Sequence, residues 1–182
     1  MKKYLVIGNP IEHSLSPKLH NYWFEKNNID ANYDRKKIDK GEIQKIISEI
    51  REDKLDGINV TVPFKSDVIP FLDTLSKESQ ITQSVNTIYK QDKKLIGHNT
   101  DIKGFELSLK ETQFNLENKT IFILGAGGVV PSIIYVLEKL GISKIIVSNR
   151  TKQKTENLKK YFSNISVVDW LSLIHISEPT RP

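Results

Sequence analysis

Apolar and polar residues follow two rhythms along this chain, one of period two and one near 3.6, and the switches between them mark its elements. KYLVIG, ending at Gly8, reads as a first strand. Ser16-Pro17 then opens a helix: Ser16 can cap it, Pro17 suits the first helical position, and Leu19, Tyr22 and Trp23 recur at helical spacing. ANYDRKKI is a short extended run. Asp39 precedes a second helix, in which Ile43, Ile46, Ile47 and Ile50 form an i, i+3, i+4, i+7 stripe. Gly57 ends the connection, INVTV is a short buried strand, and Pro63 closes it. From Pro63 to Gln80 the pattern predicts loop and short helices, interrupted by Pro70. SVNTIYKQDKKLIGHN predicts a hairpin turning near Gln91-Asp92-Lys93, and Asp101 can cap a helix running through Leu109.

The pattern restarts at Thr120. TIFILGAGG reads as a buried strand running into a glycine-rich turn. Val130, Ile133, Ile134 and Leu137 make the buried stripe of the next helix, which Gly141 ends. KIIVSN is another strand, a Thr/Lys-rich helix runs to about Phe162, and ISVVDW starts one more strand. Strands alternating with helices imply an α/β protein with parallel pairing, to which the hairpin adds antiparallel strands. The boundary between two such units falls near residues 100 to 118.

Composition bounds the class. The 182 residues are one large domain or two small ones, and 38% hydrophobic with 27% charged residues is a globular balance. No apolar run approaches the roughly 20 residues of a membrane helix, and YLVI is too short for a signal peptide. Cysteine is absent, which excludes a disulfide framework and thiolate metal sites and fits a cytoplasmic protein. The four histidines are scattered and make no metal site. His13 and His98 sit inside polar motifs and read as structural hydrogen-bonding groups. The net charge of +5 comes mostly from lysines dispersed along helix faces, without interleaved aromatics, so neither nucleic acid nor a membrane is expected as a partner. An anionic small molecule suits this charge.

GAGG at Gly125–Gly128 lies between a strand and a helix, where the first glycine permits a tight turn and the second lets backbone approach a pyrophosphate. Val130 stands where the dinucleotide fingerprint has its third glycine. The following strand ends in Ser148-Asn149-Arg150-Thr151, with no acid to hold ribose hydroxyls. Arg150 can pair with a 2′-phosphate, and Asn149 and Thr151 can donate to it, which favours NADP over NAD; the alternative is an arginine on a solvated loop. In the N-terminal half, His13-Ser14-Leu15-Ser16-Pro17 puts two hydroxyls in one loop, suited to a small polyol or carboxylate, although capping alone accounts for Ser16. Asn59 and Thr61 share one strand face, and Lys65 lies just past the strand end, where α/β sites form. Ser84-Val85-Asn86-Thr87 and Gly97-His98-Asn99-Thr100-Asp101 add two polar clusters; taken singly, each reads as a turn or a cap.

In this order, GNPIEHSLSPKLHN, GINVTVPFK, SVNTI, GHNTD, GAGG and SNRT resemble the shikimate dehydrogenase family, from residue 5 to about 151, with similar sequence continuing to about Trp170. The resemblance implies a substrate-binding catalytic domain with a mixed sheet over residues 1–100 and a partial Rossmann-like NADP-binding domain over 101–170. It implies NADP-linked, reversible reduction of 3-dehydroshikimate to shikimate, on the way to chorismate and the aromatic amino acids. Ser14, Ser16, Asn59, Thr61, Lys65, Asn86 and Asp101 match the family's substrate contacts, and Lys65 and Asp101 its catalytic pair. Gly125, Ala126, Gly127 and Gly128 match its cofactor loop, and Asn149, Arg150 and Thr151 its 2′-phosphate clamp. The alternatives are a quinate/shikimate dehydrogenase of broader specificity and a non-catalytic ligand-binding relative. The family is expected to continue with a second mononucleotide half, a substrate-binding glutamine and a C-terminal helical segment, so this chain is expected to bind NADP weakly and turn over poorly. Its last strand is expected to leave an edge uncovered. LSLIHISEPTRP at residues 171–182 continues no α/β pattern and reads as a translated sequencing adapter. Monomer and homodimer are both open.

Overall fold

Two sheets form in a computed structural model, which describes residues 1–170; they belong to two units, one of residues 1–100 and one that begins at Asp101. The tail at 171–182, read from sequence as foreign, lies outside the described residues.

The first unit runs β1 (Lys2–Gly8), α1 (Ser16–Lys26), β2 (Ala31–Lys37), α2 (Ile43–Arg51), β3 (Gly57–Val60), β4 (Thr74–Leu75), α3 (Lys77–Thr82), β5 (Thr87–Gln91) and β6 (Lys94–His98). Its sheet has the order β2-β1-β3-β5-β6-β4. β1 pairs in parallel with β2 and β3, while β5 pairs antiparallel with β3 and β6, so the sheet is mixed, as expected. The hairpin turns at Asp92 and Lys93, with φ of +50° and +63°, the left-handed pair that a two-residue turn between twisted strands demands. β4, a two-residue strand parallel to β6, falls where the sequence suggested only loop and short helix. It is too short to carry a periodic signal.

The period of two gives this sheet two unlike faces. Ile7, Ile58, Val60, Ile88 and Leu95 lie on one, buried against the α2 stripe of Ile43, Ile46, Ile47 and Ile50 together with Phe64 and Val68. A capping box at Asp39 and Glu42 leads through a short 3₁₀ turn into α2. The other face carries Tyr4, Val6, Tyr33, Asn59, Thr87 and His98. α1 packs on this second face, but not through the residues its spacing suggested. Leu19, Tyr22 and Trp23 point outward at 49–55% exposure, and none of α1 is fully buried. His20, Asn21 and Phe24 make the contacts to Tyr33 and Tyr4. Ser16 is not the cap of α1 either: the helix begins at Ser16 itself, and the Ser14 hydroxyl accepts its N–H at 3.3 Å. Pro17 presets the dihedral of the first turn.

The second unit runs α4 (Asp101–Glu111), β7 (Thr120–Leu124), α5 (Val130–Lys139), β8 (Lys144–Ser148), α6 (Lys152–Leu158) and β9 (Ile165–Val168). Its three strands are parallel in the order β7-β8-β9, the arrangement of a Rossmann-like half. β8, in the middle, buries Ile145 and Val147 completely, and α5 covers the sheet with Val130, Ile134 and Leu137. β7 does not fit its expected burial: Phe122 is 42% and Leu124 65% exposed. Among the described residues β7 pairs with β8 alone, so it is an edge strand and lacks the second neighbour that would bury its residues. α6 stops at Leu158, short of the expected Phe162, which is nonetheless buried. No helix among the described residues is long and apolar enough to cross a membrane.

Candidate active site

The residues singled out from the first unit gather at the carboxyl ends of β1 and β3. Gly8 ends β1 beside Thr61: a Cβ on Gly8 would stand 2.6 Å from Thr61 Cγ2 and 3.0 Å from the Val62 carbonyl. The two chain segments approach that closely because Asn9 N–H donates to Val62 O at 3.0 Å and Thr61 N–H to Ile7 O at 2.9 Å. Ser14, Ser16 and Thr61 thereby line one pocket of about 290 Å³, with Val6, Pro10, Ile11 and His13. Three hydroxyls on an apolar floor suit a small polyol. His13 is exposed at the rim.

Asn59 and Asn86 are held by a hydrogen-bond network. Asn59 Oδ1 accepts from Tyr33 Oη at 2.6 Å, and its Nδ2 donates to Asn86 O at 3.1 Å and to Thr87 Oγ1 at 3.0 Å. Asn86 Oδ1 accepts from Thr100 N–H at 2.9 Å, and its Nδ2 donates to Thr100 Oγ1 at 2.8 Å. Asn99 Nδ2 donates to Ser84 O at 2.9 Å, so the two polar clusters that sequence read as separate turns are one structure. His98 takes part through its backbone, its carbonyl accepting from Asn86 N–H at 3.0 Å. Lys65 is partly buried; Phe64 anchors it from the core, and its carbonyl accepts from Val85 N–H at 2.8 Å. Thr87 and Thr100, which belong to those two clusters, are members of the network, and so is Tyr33, which lies outside every motif. For Tyr33 a local signal existed: it is the one aromatic residue in the run ANYDRKKI.

In the second unit Asp101 opens α4, partly buried, where a carboxylate meets the positive end of the helix. The glycine turn joins β7 to α5. Gly125 has a φ of +111°, which a side chain would strain, and its N–H donates to Ser148 O at 2.7 Å. A Cβ built on Gly127 meets nothing within 4 Å, and Gly127 and Gly128 are exposed ahead of the ten-residue α5. That open approach to a helix N-terminus fits a dinucleotide phosphate, and the exposed Arg150 at the end of β8 fits a further phosphate. Asn149 is already engaged: its Oδ1 accepts from Ala126 N–H at 3.1 Å and its Nδ2 donates to Thr151 O at 2.8 Å. It ties the glycine turn to the strand end.

Residues 6–88 match the family described as the shikimate dehydrogenase substrate binding domain, and residues 106–177 that described as shikimate / quinate 5-dehydrogenase. The NADP(+) shikimate dehydrogenase of Pelagibacter ubique is 58% identical over 169 residues, covering 93% of this chain and 64% of its own length. Shikimate dehydrogenase 1 of Peptoclostridium difficile superposes with a TM-score of 0.88 at 32% identity, covering 99% of this chain and 68% of that one. The Thermus thermophilus shikimate 5-dehydrogenase, in complex with NADP(H) and shikimate, gives 0.82 at 31% identity, over 92% of this chain and 63% of that one. The chain thus spans a little under two thirds of the curated relatives it matches. With both family regions matched in order and both folds reproduced, the chain belongs to the shikimate dehydrogenase family.

Proposed function

We propose that this protein catalyses the NADP-linked, reversible reduction of 3-dehydroshikimate to shikimate, in the route to chorismate and the aromatic amino acids. The observation that carries this reading is the convergence of Ser14, Ser16 and Thr61 on one small pocket. Those hydroxyls, with Asn59 and Asn86, bind the ring substituents of the substrate. Lys65 is the general acid/base: reduction of a ketone builds negative charge on oxygen, and an ammonium stabilises and protonates it. Asp101 is the second charged group of the catalytic pair that the family resemblance implies.

Nicotinamide, when bound, is the source and acceptor of hydride. Gly125, Ala126, Gly127 and Gly128 would hold the pyrophosphate, with Arg150 and Thr151 at the 2′-phosphate. Asn149 contributes by fixing the shape of that loop, because its amide is committed to Ala126 and Thr151. A relative solved with NADP(H) and shikimate supports both ligands. A cytoplasmic location fits the same reading.

The test combines calorimetric titration with shikimate and a spectrophotometric assay of NADPH formation. Shikimate binding that Ser14→Ala weakens, with only slow NADPH formation on adding shikimate, is the expected result for this chain. A protein that does neither overturns the reading. Quinate belongs in the same assay, since the matched family of residues 106–177 is described for both substrates. Equal turnover of quinate would establish the broader specificity.

A further inference from the structure

Tyr33 lies outside every motif discussed so far, yet the inner side of α1 is spent on holding it. Asn21 clamps its backbone from both sides: Asn21 Nδ2 donates to Tyr33 O at 2.8 Å, and Tyr33 N–H donates to Asn21 Oδ1 at 2.9 Å. The His20 ring stacks on the Tyr33 ring at 4.1 Å between centroids and 3° between planes. Tyr33 is 4% exposed. It pairs with Tyr4 of β1, and its hydroxyl reaches over that strand to Asn59 on β3.

We propose that Tyr33 is a positioning residue that makes Asn59 a hydrogen-bond acceptor toward the substrate. The inference rests on the shikimate reading of the pocket. A primary amide has two donor hydrogens and one acceptor oxygen. Asn59 commits both hydrogens, to Asn86 O and Thr87 Oγ1, and one lone pair to Tyr33 Oη. What remains is the second lone pair of Oδ1, which can only accept a hydrogen, such as that of a substrate hydroxyl. The Asn86 carbonyl, which can only accept, sets the amide's orientation, because a flip by 180° would put the amide oxygen against it; the Tyr33 hydroxyl then holds Oδ1 in place by donating to it. Burial pushes the Tyr33 phenol above its usual range, so it stays protonated and able to donate. A site that accepts at this position binds an alcohol there and rejects a group without an O–H.

Two measurements test this. The first needs no ligand: solvent exchange of the Asn59 side-chain amide protons by NMR. They exchange slowly in the wild type and at least about tenfold faster in Tyr33→Phe, which keeps the ring and its stack. The second is a double-mutant cycle read by shikimate titration. Tyr33→Phe weakens binding about tenfold in the wild type and less than about twofold in an Asn59→Ala background. Thr87→Val, which removes the partner on the other side of the amide, shifts both readouts in the same direction and serves if Tyr33→Phe does not fold. Fast exchange in the wild type, or an equal loss of binding in both backgrounds, overturns the proposal. A wild type that protects the Asn59 protons but does not bind shikimate supports the positioning and overturns the substrate reading instead.

Discussion

Lys65 and Ser148 show how differently single side chains enter this protein. Lys65, the proposed general acid/base, stands just past Phe64 and is tied through its carbonyl to Val85. Lys65→Ala is expected to lower kcat by roughly 10² to 10⁴ with a modest change in KM, because the charge it stabilises appears only as the reaction proceeds. Steady-state kinetics with shikimate checks this, and near-full kcat in the variant would refute the role. Ser148 is fully buried at the end of β8, and its Oγ has no hydrogen-bond partner. An unpaired buried hydroxyl costs about 1–3 kcal/mol, so Ser148→Ala should stabilise the fold by about 1 kcal/mol in urea unfolding. At this scale the sequence names a side chain's own chemistry by its type, as with Lys65, Ser14 and Thr61. It was read poorly at Tyr33, whose role comes from a partner 26 positions away that periodicity cannot name.

Elements in the second unit are joined by charge as well as by apolar contact. Glu106 on α4 is 7% exposed and meets Lys110 at 2.9 Å, Lys139 of α5 at 3.3 Å and Lys103 at 3.9 Å. The hydrogen bonds from Lys110 and Lys139 hold its carboxyl well down, to about 2. A carboxylate whose pKa is lower folded than unfolded stabilises the fold above its unfolded pKa and loses that contribution as the pH falls toward the folded one. Thermal unfolding should therefore show stability falling between about pH 5 and pH 2, and Glu106→Gln should flatten that part of the profile. A variant with the wild-type acid profile would remove Glu106 from the account. The α2 stripe and the hairpin were legible at this scale because a 3.6 period and a turn pair are local properties. The outward Leu19, Tyr22 and Trp23 of α1 were not, since the same spacing is written whether a face meets a core or solvent.

For the whole molecule, selection of NADP over NAD falls to the end of β8. No acidic residue stands at the end of β8, and Arg150 is exposed there. Arg150→Ala is expected to weaken NADP binding about tenfold and to leave NAD within about a factor of two, since only NADP carries the extra phosphate. Parallel titrations with the two cofactors decide it, and equal losses for both would place Arg150 outside the 2′-phosphate site.

The sequence alone determined the elements and the kinds of chemistry. Local periodicity and turn residues are carried by neighbouring positions and indicated an α/β protein in two units; the resemblance of six short motifs implied that a mixed-sheet unit precedes a Rossmann-like one. Tertiary structure decided which of those residues work together. Only folding brings Ser14, Ser16 and Thr61 into one pocket and lays the Tyr33 hydroxyl across β1 onto Asn59. Strand order and register set those distances, and both depend on pairings between segments far apart in the chain. The same cause exposes β7, whose apolar run promised a buried strand: burial is conferred by neighbours, and a strand's own residues do not supply them.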